Sequence, residues 1–320
     1  MNSRRISASL AIALAACSAT ANAQSPKAWC GLLPRPANAA LPAVTVKPDW
    51  FKVYRAAEGV YAIVEPEQWQ EAISYLIVGT RSALLFDTGI GVVPIRPVIA
   101  QLTKLPVTVL NSHTHYDHMG GNWEFTRIAA MHRPFTRTSM AGLPHAKVAG
   151  EVSADAFCSR APAGLDTARH HVRAWRATET IADGHRFDLG GRTLEVLSVP
   201  GHTPDAIALI DRAHGLLWTG DSYYDGTIWL FAEETDLVSY ERSIGRLAAL
   251  VPSLRQLLPA HNTASVAPDK LTRTLGAIRA VRSGTVAGKA GEGGELSFEV
   301  NGIAIRTSQK ALARAAATKP

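Results

Sequence analysis

The sequence predicts an α/β fold built from two similar halves. Apolar, β-rich runs alternate with amphipathic helical segments from Trp50 onward. Two segments, RSALLFDTG (81–89) and HGLLWTGDS (214–222), repeat one scheme, because each runs from a polar turn through an apolar strand to an Asp beside a Gly. Each is followed by a helix and then by a strand that ends near a histidine. We therefore expect the polar residues of both halves to meet at one shared edge.

The first half predicts strands before and after one helix. The runs FKVYRAAEGVYAIVEP and EAISYLIVGTRSALLFDTG are rich in β-branched and aromatic residues and contain Gly turns, which is typical of strands. VPIRPVIAQLTKL predicts a helix, and PVTVLNS predicts a buried strand that stops at Ser112. Residues 132–176 carry Pro and Gly in a mixed pattern, which predicts a partly helical insertion or lid.

The second half repeats this order. Residues 185–202 predict two strands joined by a Gly-Gly turn, and residues 205–222 predict two more. Residues 235–252 predict an amphipathic helix, because apolar side chains recur at helical spacing at Leu237, Tyr240, Ile244, Leu247 and Leu250. LRQLLPAHN then predicts a short strand. We place the boundaries of the catalytic domain at residues 49–265.

The C-terminal segment, residues 266–320, predicts a helix and a hairpin. APDKLTRTLGAIRAVRSG indicates the helix, and LSFEVNGIAIRTS indicates a hairpin with an Asn-Gly turn. A flexible GKAGEGG stretch is expected between them, and a loose basic end after them.

The N-terminus has the features of an export signal. Arg4 and Arg5 precede the apolar run ISASLAIALAA and a small-residue ANA at 21–23, which predicts a signal peptide over residues 1–23 with cleavage before Gln24. LAAC (14–17) also resembles a bacterial lipobox, which would place a lipid anchor on Cys17; the polar CSATANA tail favours ordinary cleavage. The sequence therefore predicts a periplasmic or secreted bacterial protein without a membrane span, in which residues 24–48 form an N-terminal arm.

The net charge limits the expected binding partners, and the cysteine content indicates a possible disulfide. The formal net charge of +6 falls to +4 when Arg4 and Arg5 leave with the signal peptide. No dense basic patch with interleaved aromatics is visible, so nucleic acid is not expected as a partner and a small-molecule substrate is. Cys30 and Cys158 remain in a compartment that permits a disulfide between them, with two free thiols as the alternative. The sequence does not indicate an oligomeric state.

The segment NSHTHYDHMGGN (111–122) places potential metal ligands on a loop at the end of a strand. Zinc takes roughly four to five imidazole and carboxylate ligands, with one position left for water. One loop cannot complete two such sets, but three further strand ends carry suitable residues. We therefore assign His113, His115 and His202 to one metal, Asp117, His118 and His261 to a second, and Asp221 as the bridge between them. Asp87 in LLFDTG is expected to fix the ligand loop by hydrogen bonds or else to cap the following turn.

The ordered motifs HTHYDH, GHTPD, TGDS and PAHN resemble the metallo-β-lactamase superfamily over roughly residues 50–265. The resemblance implies an αβ/βα four-layer sandwich with two facing mixed sheets, flanked by helices, and a dinuclear site at one edge. It implies two Zn²⁺ per chain, although the ligands also suit iron, manganese or cobalt.

The chemistry that follows is metal-assisted hydrolysis. Zinc lowers the pKa of bound water to about 7, so a hydroxide between the metals can attack a carbonyl carbon. Asp117 is expected to orient the nucleophile and to shuttle its proton. Tyr224 lies three positions after Asp221. A tyrosine at this offset resembles the acyl-homoserine lactonases, in which it helps to hold the substrate carbonyl. The alternative is that Tyr224 is an aromatic side chain packed in the core. Tyr223, Trp229 and Phe231 are either cleft residues or ordinary packing.

The substrate is less sharply defined than the reaction. A lactone or ester fits Asp221, Tyr224 and export best. A β-lactam is the second candidate, although zinc β-lactamases carry Cys or Ser where this chain has Asp221. A thioester is the third: DHMGGN resembles glyoxalase II-type thioesterases, but no basic helical C-terminal domain for a glutathione conjugate is evident. A flavodi-iron oxidoreductase would need a flavin domain, and a nuclease of this superfamily would carry additional recognition domains. The sequence favours neither class.

Overall fold

The computed structural model describes residues 27–317. The predicted signal peptide, its predicted cleavage site and Cys17 lie outside these residues. The first half contains eight strands in chain order: β1 (Ala43–Val44), β2 (Lys52–Ala57), β3 (Val60–Val64), β4 (Ile73–Val78), β5 (Ala83–Phe86), β6 (Val107–Leu110), β7 (Ile128–Met131) and β8 (Glu179–Ile181). They form one sheet in the order β1 to β8, antiparallel up to β5 and parallel from β5 to β8.

The second half supplies nine strands in two sheets: β9 (Arg186–Asp188), β10 (Thr193–Ser198), β11 (Ile207–Asp211), β12 (Leu216–Gly220), β13 (Thr227–Leu230), β14 (Gln256–Pro259), β15 (Lys289–Ala290), β16 (Glu295–Val300) and β17 (Ile303–Ser308). A five-stranded sheet has the order β14-β12-β11-β10-β9, and a four-stranded sheet has the order β13-β17-β16-β15. The pairs β12/β14 and β13/β17 are parallel, so both sheets are mixed.

Eight α-helices accompany the sheets in residues 27–317: α1 (Pro36–Ala39), α2 (Arg96–Leu102), α3 (Tyr116–Met119), α4 (Pro134–Ser139), α5 (His145–Val148), α6 (Leu237–Ala248), α7 (Asp269–Ser283) and α8 (Gln309–Ala317). In α6, Leu237, Tyr240, Ile244 and Leu247 are buried, as the helical spacing predicts. Asp236 accepts the N–H groups of Val238 and Ser239, which fixes the start of this helix. No helix within the described part of the chain has the length and apolar character needed to cross a bilayer.

The eight- and five-stranded sheets face each other across one hydrophobic core. Tyr75 and Phe86 of the first sheet share this core with Trp218 and Leu258 of the second, and the Tyr75 and Trp218 rings meet edge to face with centroids 6.4 Å apart. A second core packs α6, α7 and the four-stranded sheet against the outer face of the five-stranded sheet. A third covers the outer face of the eight-stranded sheet with α2. The expected αβ/βα four-layer arrangement of two facing mixed sheets is confirmed, with a third, smaller sheet added.

Two parts of the C-terminal segment differ from the expectation. The Asn-Gly hairpin is present as β16–β17, with Asn301 and Gly302 both at positive φ, as a tight primed turn requires. The expected loose basic end is wrong for residues 309–317, which form helix α8 and bury Ala311 and Ala315. Alanine carries little apolar area, so its burial leaves a weak signal in the sequence. The GKAGEGG stretch forms β15 and a 3-10 turn.

Residues 132–176 are partly helical, as expected of the insertion. They contain α4, α5 and two 3-10 turns, and Phe157 and Val152 pack in a small core beside Ile90. Cys158 forms a disulfide with Cys30, so the expected bridge between the N-terminal arm and the middle of the chain is present.

Candidate metal centre

The seven predicted ligands come together where the two facing sheets meet. The 113–118 loop follows β6, and His202, Asp221 and His261 follow β10, β12 and β14. Backbone hydrogen bonds join the sheets at this edge: Ile207 N donates to Ser112 O at 2.7 Å, and Ile73 N donates to Ala260 O at 2.7 Å. The positions of the ligands are therefore fixed by the ends of the central strands.

Three histidine nitrogens converge on one point. Nδ1 of His115 lies 3.0 Å from Nε2 of His113 and 3.0 Å from Nε2 of His202. Protonated nitrogens would repel one another at such distances, whereas a shared cation would be held by their lone pairs. This is the first group of three that the sequence assigns to one metal.

The second group of ligands lies beside the first. Nε2 of His261 is 3.3 Å from Nε2 of His118, and Oδ2 of Asp117 is 3.5 Å from Nε2 of His118 and 3.6 Å from Nε2 of His261. All three side chains are buried. The sequence-derived assignment of Asp117, His118 and His261 to one cluster agrees with this placement.

Asp221 lies between the two groups. Its Oδ1 is 3.2 Å from His261 Nε2 and 3.4 Å from His118 Nε2, and its Oδ2 is 3.6 Å from His202 Nε2. Oδ1 is buried and accepts no hydrogen bond of good geometry from the described residues. A buried, unsatisfied carboxylate oxygen facing two imidazole nitrogens fits a bound cation, which would satisfy it.

Hydrogen bonds on the far ring nitrogens fix the orientation of the histidines. Nδ1 of His202 lies 2.8 Å from Trp229 O, and Nδ1 of His261 lies 2.7 Å from Gln70 O. Because a carbonyl oxygen only accepts, both Nδ1 atoms carry the proton and both Nε2 atoms face the site with a lone pair.

The rings of His118 and His115 are held by carboxylates, each on the ring nitrogen that faces away from the site. Asp87 Oδ2 lies 3.0 Å from Nδ1 of His118, while its Oδ1 accepts Ser112 N at 2.7 Å. Asp87 therefore fixes the ligand loop, in agreement with the first of the two expectations for it. Glu234 Oε1 lies 2.7 Å from Nε2 of His115, so this histidine faces the site through Nδ1. Glu234 was not among the predicted site residues.

The electrostatics of the site suit metal binding at neutral pH. Burial lowers the pKa of His113 well below its usual range and the pKa of His202 to about 4, so both imidazoles stay neutral. Burial opposes the ionisation of Asp117, but the neighbouring His118 and His261 outweigh it and lower the pKa of Asp117 to about 2. Burial opposes the protonation of His118 and His261, but the neighbouring carboxylates of Asp117 and Asp221 outweigh it and raise the pKa of both imidazoles, so a cation bound there would take the place of their protons. Neutral imidazoles with ionised carboxylates are the donors that zinc and related divalent cations take.

A buried threonine–aspartate cluster supports the ligand loops from behind. Asp205 accepts hydrogen bonds from Thr114 at 2.6 Å, Thr136 at 2.9 Å and Thr203 at 2.7 Å. It thereby joins the first ligand loop, the insertion helix α4 and the GHTPD loop that carries His202. Of the GHTPD motif only His202 was a predicted site residue, and Asp205 is a further one that the structure reveals.

A cavity of about 680 Å³ opens onto the ligands. One wall is aromatic: the ring centroids of Trp229 lie 6.3 Å from Trp69 and 5.0 Å from Phe231. Trp229 and Phe231 therefore line the cleft. Tyr223 does not, since it is buried in the core beneath the five-stranded sheet.

Tyr224 lines the cavity with its ring, 5.0 Å from the ring of His261. Its hydroxyl donates to Thr227 O at 2.7 Å and accepts Trp229 N at 3.0 Å. Both backbone partners hold the hydroxyl within its own loop. A catalytic contact from Tyr224 to a substrate carbonyl stays a prediction.

Tyr116 lies in the ligand loop and had no predicted role. Its hydroxyl donates to Glu151 Oε1 at 3.0 Å and accepts a hydrogen bond from Gln70 Nε2 at 2.7 Å. The bond to Glu151 joins the ligand loop to the insertion.

Comparison with known proteins agrees with this geometry. The sequence profile of the metallo-beta-lactamase superfamily matches residues 72–261, which is more than half of the chain and spans every ligand position. The chain is 26% identical over 230 residues to the acyl-coenzyme A thioesterase MBLAC2 of Homo sapiens, covering 67% of this chain and 81% of that protein. It is 27% identical over 194 residues to a hydroxyacylglutathione hydrolase of Aeromonas hydrophila, covering 60% of this chain and 61% of that protein.

Solved structures agree on the fold. A metallo-beta-lactamase from Pontibacter korlensis superposes with a TM-score of 0.53 at 20% identity, covering 72% of this chain and 99% of that one. The sec-alkylsulfatase Pisa1 from a Pseudomonas species superposes with a TM-score of 0.56 at 18% identity, covering 72% of this chain and 42% of that one. At these identities the likeness concerns the fold alone.

Proposed function

The chain belongs to the metallo-β-lactamase superfamily, and from that premise we propose that it is an exported, dinuclear-metal hydrolase of activated carbonyl esters, with thioesters as the preferred class. The observation that carries the hydrolase proposal is the buried, unsatisfied Oδ1 of Asp221 between two histidine groups. His113, His115 and His202 would hold one cation, Asp117, His118 and His261 the other, and Asp221 would bridge. Zinc is the proposed metal, with iron, manganese or cobalt as alternatives.

The residues of this chain have separable tasks in such a reaction. Bound divalent cations supply Lewis acidity and lower the pKa of water, which is the chemistry that the donor set supports. Hydrolysis joins a water oxygen to the carbonyl carbon and breaks the bond from that carbon to sulfur or oxygen. Asp117, ionised because its pKa is lowered to about 2, would orient the water and pass its proton to the leaving group. Trp69, Trp229 and Phe231 would hold the acyl group and exclude bulk water.

The thioester preference rests on two observations. The two sequence relatives described above are an acyl-coenzyme A thioesterase and a hydroxyacylglutathione hydrolase. In addition, the Tyr224 hydroxyl, on which the lactone reading depended, is engaged by Thr227 and Trp229 within its own loop. A lactone remains the second candidate, because the Tyr224 ring still lines the cavity at the expected offset from Asp221.

A substrate panel tests the proposal. Acyl thioesters, lactones, β-lactams and phosphodiesters are offered to the zinc-loaded protein, with and without a chelator. We expect thioesters to be hydrolysed with the highest kcat/KM and the chelator to abolish turnover. Faster turnover of lactones or β-lactams would replace the substrate class, and hydrolysis of phosphodiesters alone would contradict the carbonyl chemistry.

Export is part of the same proposal. The disulfide between Cys30 and Cys158 supports an oxidising compartment, as the predicted signal peptide does. Expression of the full chain in a Gram-negative host, followed by fractionation and N-terminal sequencing, should yield periplasmic protein that begins at Gln24. Protein retained in the cytoplasm with Met1 intact would contradict export, and recovery with the membranes through Cys17 would favour the lipoprotein alternative.

A further inference from the structure

The described part of the N-terminal arm, which begins at residue 27, lies against the insertion that borders the cavity. Cys30 is joined to Cys158, and Lys27 donates from Nζ to Ala154 O at 2.6 Å and also to Phe157 O. These contacts attach the beginning of the arm to the 154–158 segment of the insertion. The disulfide is the covalent one among them, so it sets how firmly this end of the arm is held.

The other end of the arm holds the loop that carries His261. Arg35 donates from Nη2 to Asn262 Oδ1 at 3.0 Å. Asn38 is buried; it donates to Asn262 O at 2.8 Å and accepts Ala264 N at 2.7 Å. Asn38 therefore fixes the backbone directly after a predicted metal ligand, and Arg35 holds the side chain of Asn262.

Arg35 also reaches the opposite side of the same ligand. Its Nε donates to Glu71 Oε2 at 2.7 Å, and Glu71 is buried and follows Gln70. Gln70 O is the acceptor for Nδ1 of His261, at 2.7 Å. The arm thus holds His261 on two sides, through Glu71, which follows its acceptor Gln70, and through Asn262, which follows the histidine itself.

Within the first attachment, directly before Cys30, Trp29 is half-buried and lines the same cavity as Trp69 and Trp229. An indole side chain in a cavity wall offers a large apolar surface to a ligand. Its neighbour in the arm, Leu32, is 53% exposed and lies outside that lining, so the two apolar residues differ in what they can contact.

We propose that the disulfide-held arm is a wall of the substrate site, in which Trp29 selects for substrates with a long apolar acyl group. The substrate class rests on the proposed ester and thioester hydrolysis; the wall itself rests on the cavity geometry. Trp29 is a specificity-determining residue, and Arg35 and Asn38 are positioning residues that act through the His261 loop. The Cys30–Cys158 bond keeps Trp29 at the cavity.

The kinetic test compares two arm variants across acyl thioesters of increasing chain length. For Trp29→Ala we expect KM to rise about fivefold to twentyfold for the longest acyl chains, as loss of part of an apolar contact predicts, with little change for an acetyl thioester and with kcat retained. Leu32→Ala is the matched control and should behave like the wild type. Equal KM values for Trp29→Ala and wild type along the whole series would overturn the proposal.

The disulfide is tested with the Cys30→Ser/Cys158→Ser double variant. We expect the same chain-length-dependent rise in KM as for Trp29→Ala, with circular dichroism and metal content unchanged. A double variant that is folded and metal-loaded but selects acyl chains like the wild type would show that the bond does not hold the wall.

A binding measurement separates this inference from the proposed activity. Straight-chain carboxylates, the acyl products, are titrated calorimetrically into wild type, Trp29→Ala and Leu32→Ala. We expect affinity to rise with chain length in the wild type and in Leu32→Ala, and this rise to be largely lost in Trp29→Ala. Failure of the wild type to prefer long chains would overturn the selective wall. Preference without hydrolysis of any ester in the panel would overturn only the proposed function.

Discussion

Glu234 Oε1 lies 2.7 Å from Nε2 of His115, so the histidine that faces the site through Nδ1 is held by a carboxylate on its opposite ring nitrogen. The hydrogen bond to His115 lowers the pKa of Glu234, which keeps its carboxylate ionised beside the ring. An ionised acceptor at this position favours one tautomer of His115 and raises the basicity of its Nδ1.

Glu234→Ala should therefore weaken metal binding at the His113, His115 and His202 group. Loss of the carboxylate that hydrogen-bonds to the far ring nitrogen of a ligand histidine typically lowers metal affinity about 10- to 100-fold. Competition with a chromophoric zinc chelator measures this change. Glu233→Ala is the control, because Glu233 is exposed and pairs with Lys310 at the surface. Equal metal affinities for the two variants would contradict the role given to Glu234.

Asp87 provides the equivalent test at the second group. Asp87→Asn keeps the left-handed backbone at φ 66°, which Asn tolerates, but removes the charge shared by Ser112 N and His118 Nδ1. We expect about 10- to 100-fold weaker binding of one metal, with the other retained, as seen by metal analysis after dialysis. Asp49→Asn, a change at an exposed pair with Lys47, should leave both metals bound. Loss of both metals from a folded Asp87→Asn protein would contradict the claim that Asp87 acts only on the second group of ligands.

The sequence predicts the metal ligands, but it predicts only some of the residues that hydrogen-bond to the ligands and their loops. The ligands were predictable because strand ends concentrate them in motifs, and Asp87 because it stands in a strand end of the same type. Glu234 stands beside Glu233 in the run AEET, and nothing local distinguishes the two. Arg35 and Asn38 act across more than 220 residues of sequence, on Asn262. Contacts of that separation depend on the assembled fold, not on local pattern.

The fold shows the same division. Helix α6 and the strands of the two facing sheets follow their apolar periodicity. In the third sheet the β16–β17 hairpin follows from its Asn-Gly turn, but the parallel pairing of β13 with β17 does not, because these two strands are far apart in the sequence. Helix α8 depends on the burial of Ala311 and Ala315, whose small side chains leave little hydrophobic signal.

Gly120 carries a packing prediction. Its φ of −58° suits any residue, but a Cβ there would lie 2.1 Å from Ile90 O, so the close approach of the Ile90–Gly91 backbone requires glycine. Gly120→Ala should cost about 2–4 kcal/mol in the free energy of unfolding, measured by urea titration. Gly150→Ala is the control, since a Cβ at Gly150 meets no atom within 4 Å. An unchanged midpoint for Gly120→Ala would refute the packing argument.

Glu65 predicts a pH dependence of stability. Burial raises the pKa of this carboxyl from 4.5 to about 7, so the folded state holds a proton that the unfolded chain releases near pH 4.5. The unfolded state then binds fewer protons between these pH values, and stability falls as pH rises through this window. The free energy of unfolding of Glu65→Gln relative to wild type should increase by roughly 2 kcal/mol from pH 5 to pH 8. Urea titrations at both pH values measure it, and a pH-independent difference would contradict the raised pKa.

The metal stoichiometry of the purified protein tests the account most directly. Zinc-supplemented protein, dialysed and analysed by mass spectrometry for metals, should contain two divalent ions per folded chain. Asp221→Asn should contain fewer than two, because the bridging carboxylate joins the His261 and His202 groups. Folded protein that binds no divalent metal, while its hydrolytic activity survives the chelator, would contradict the dinuclear centre.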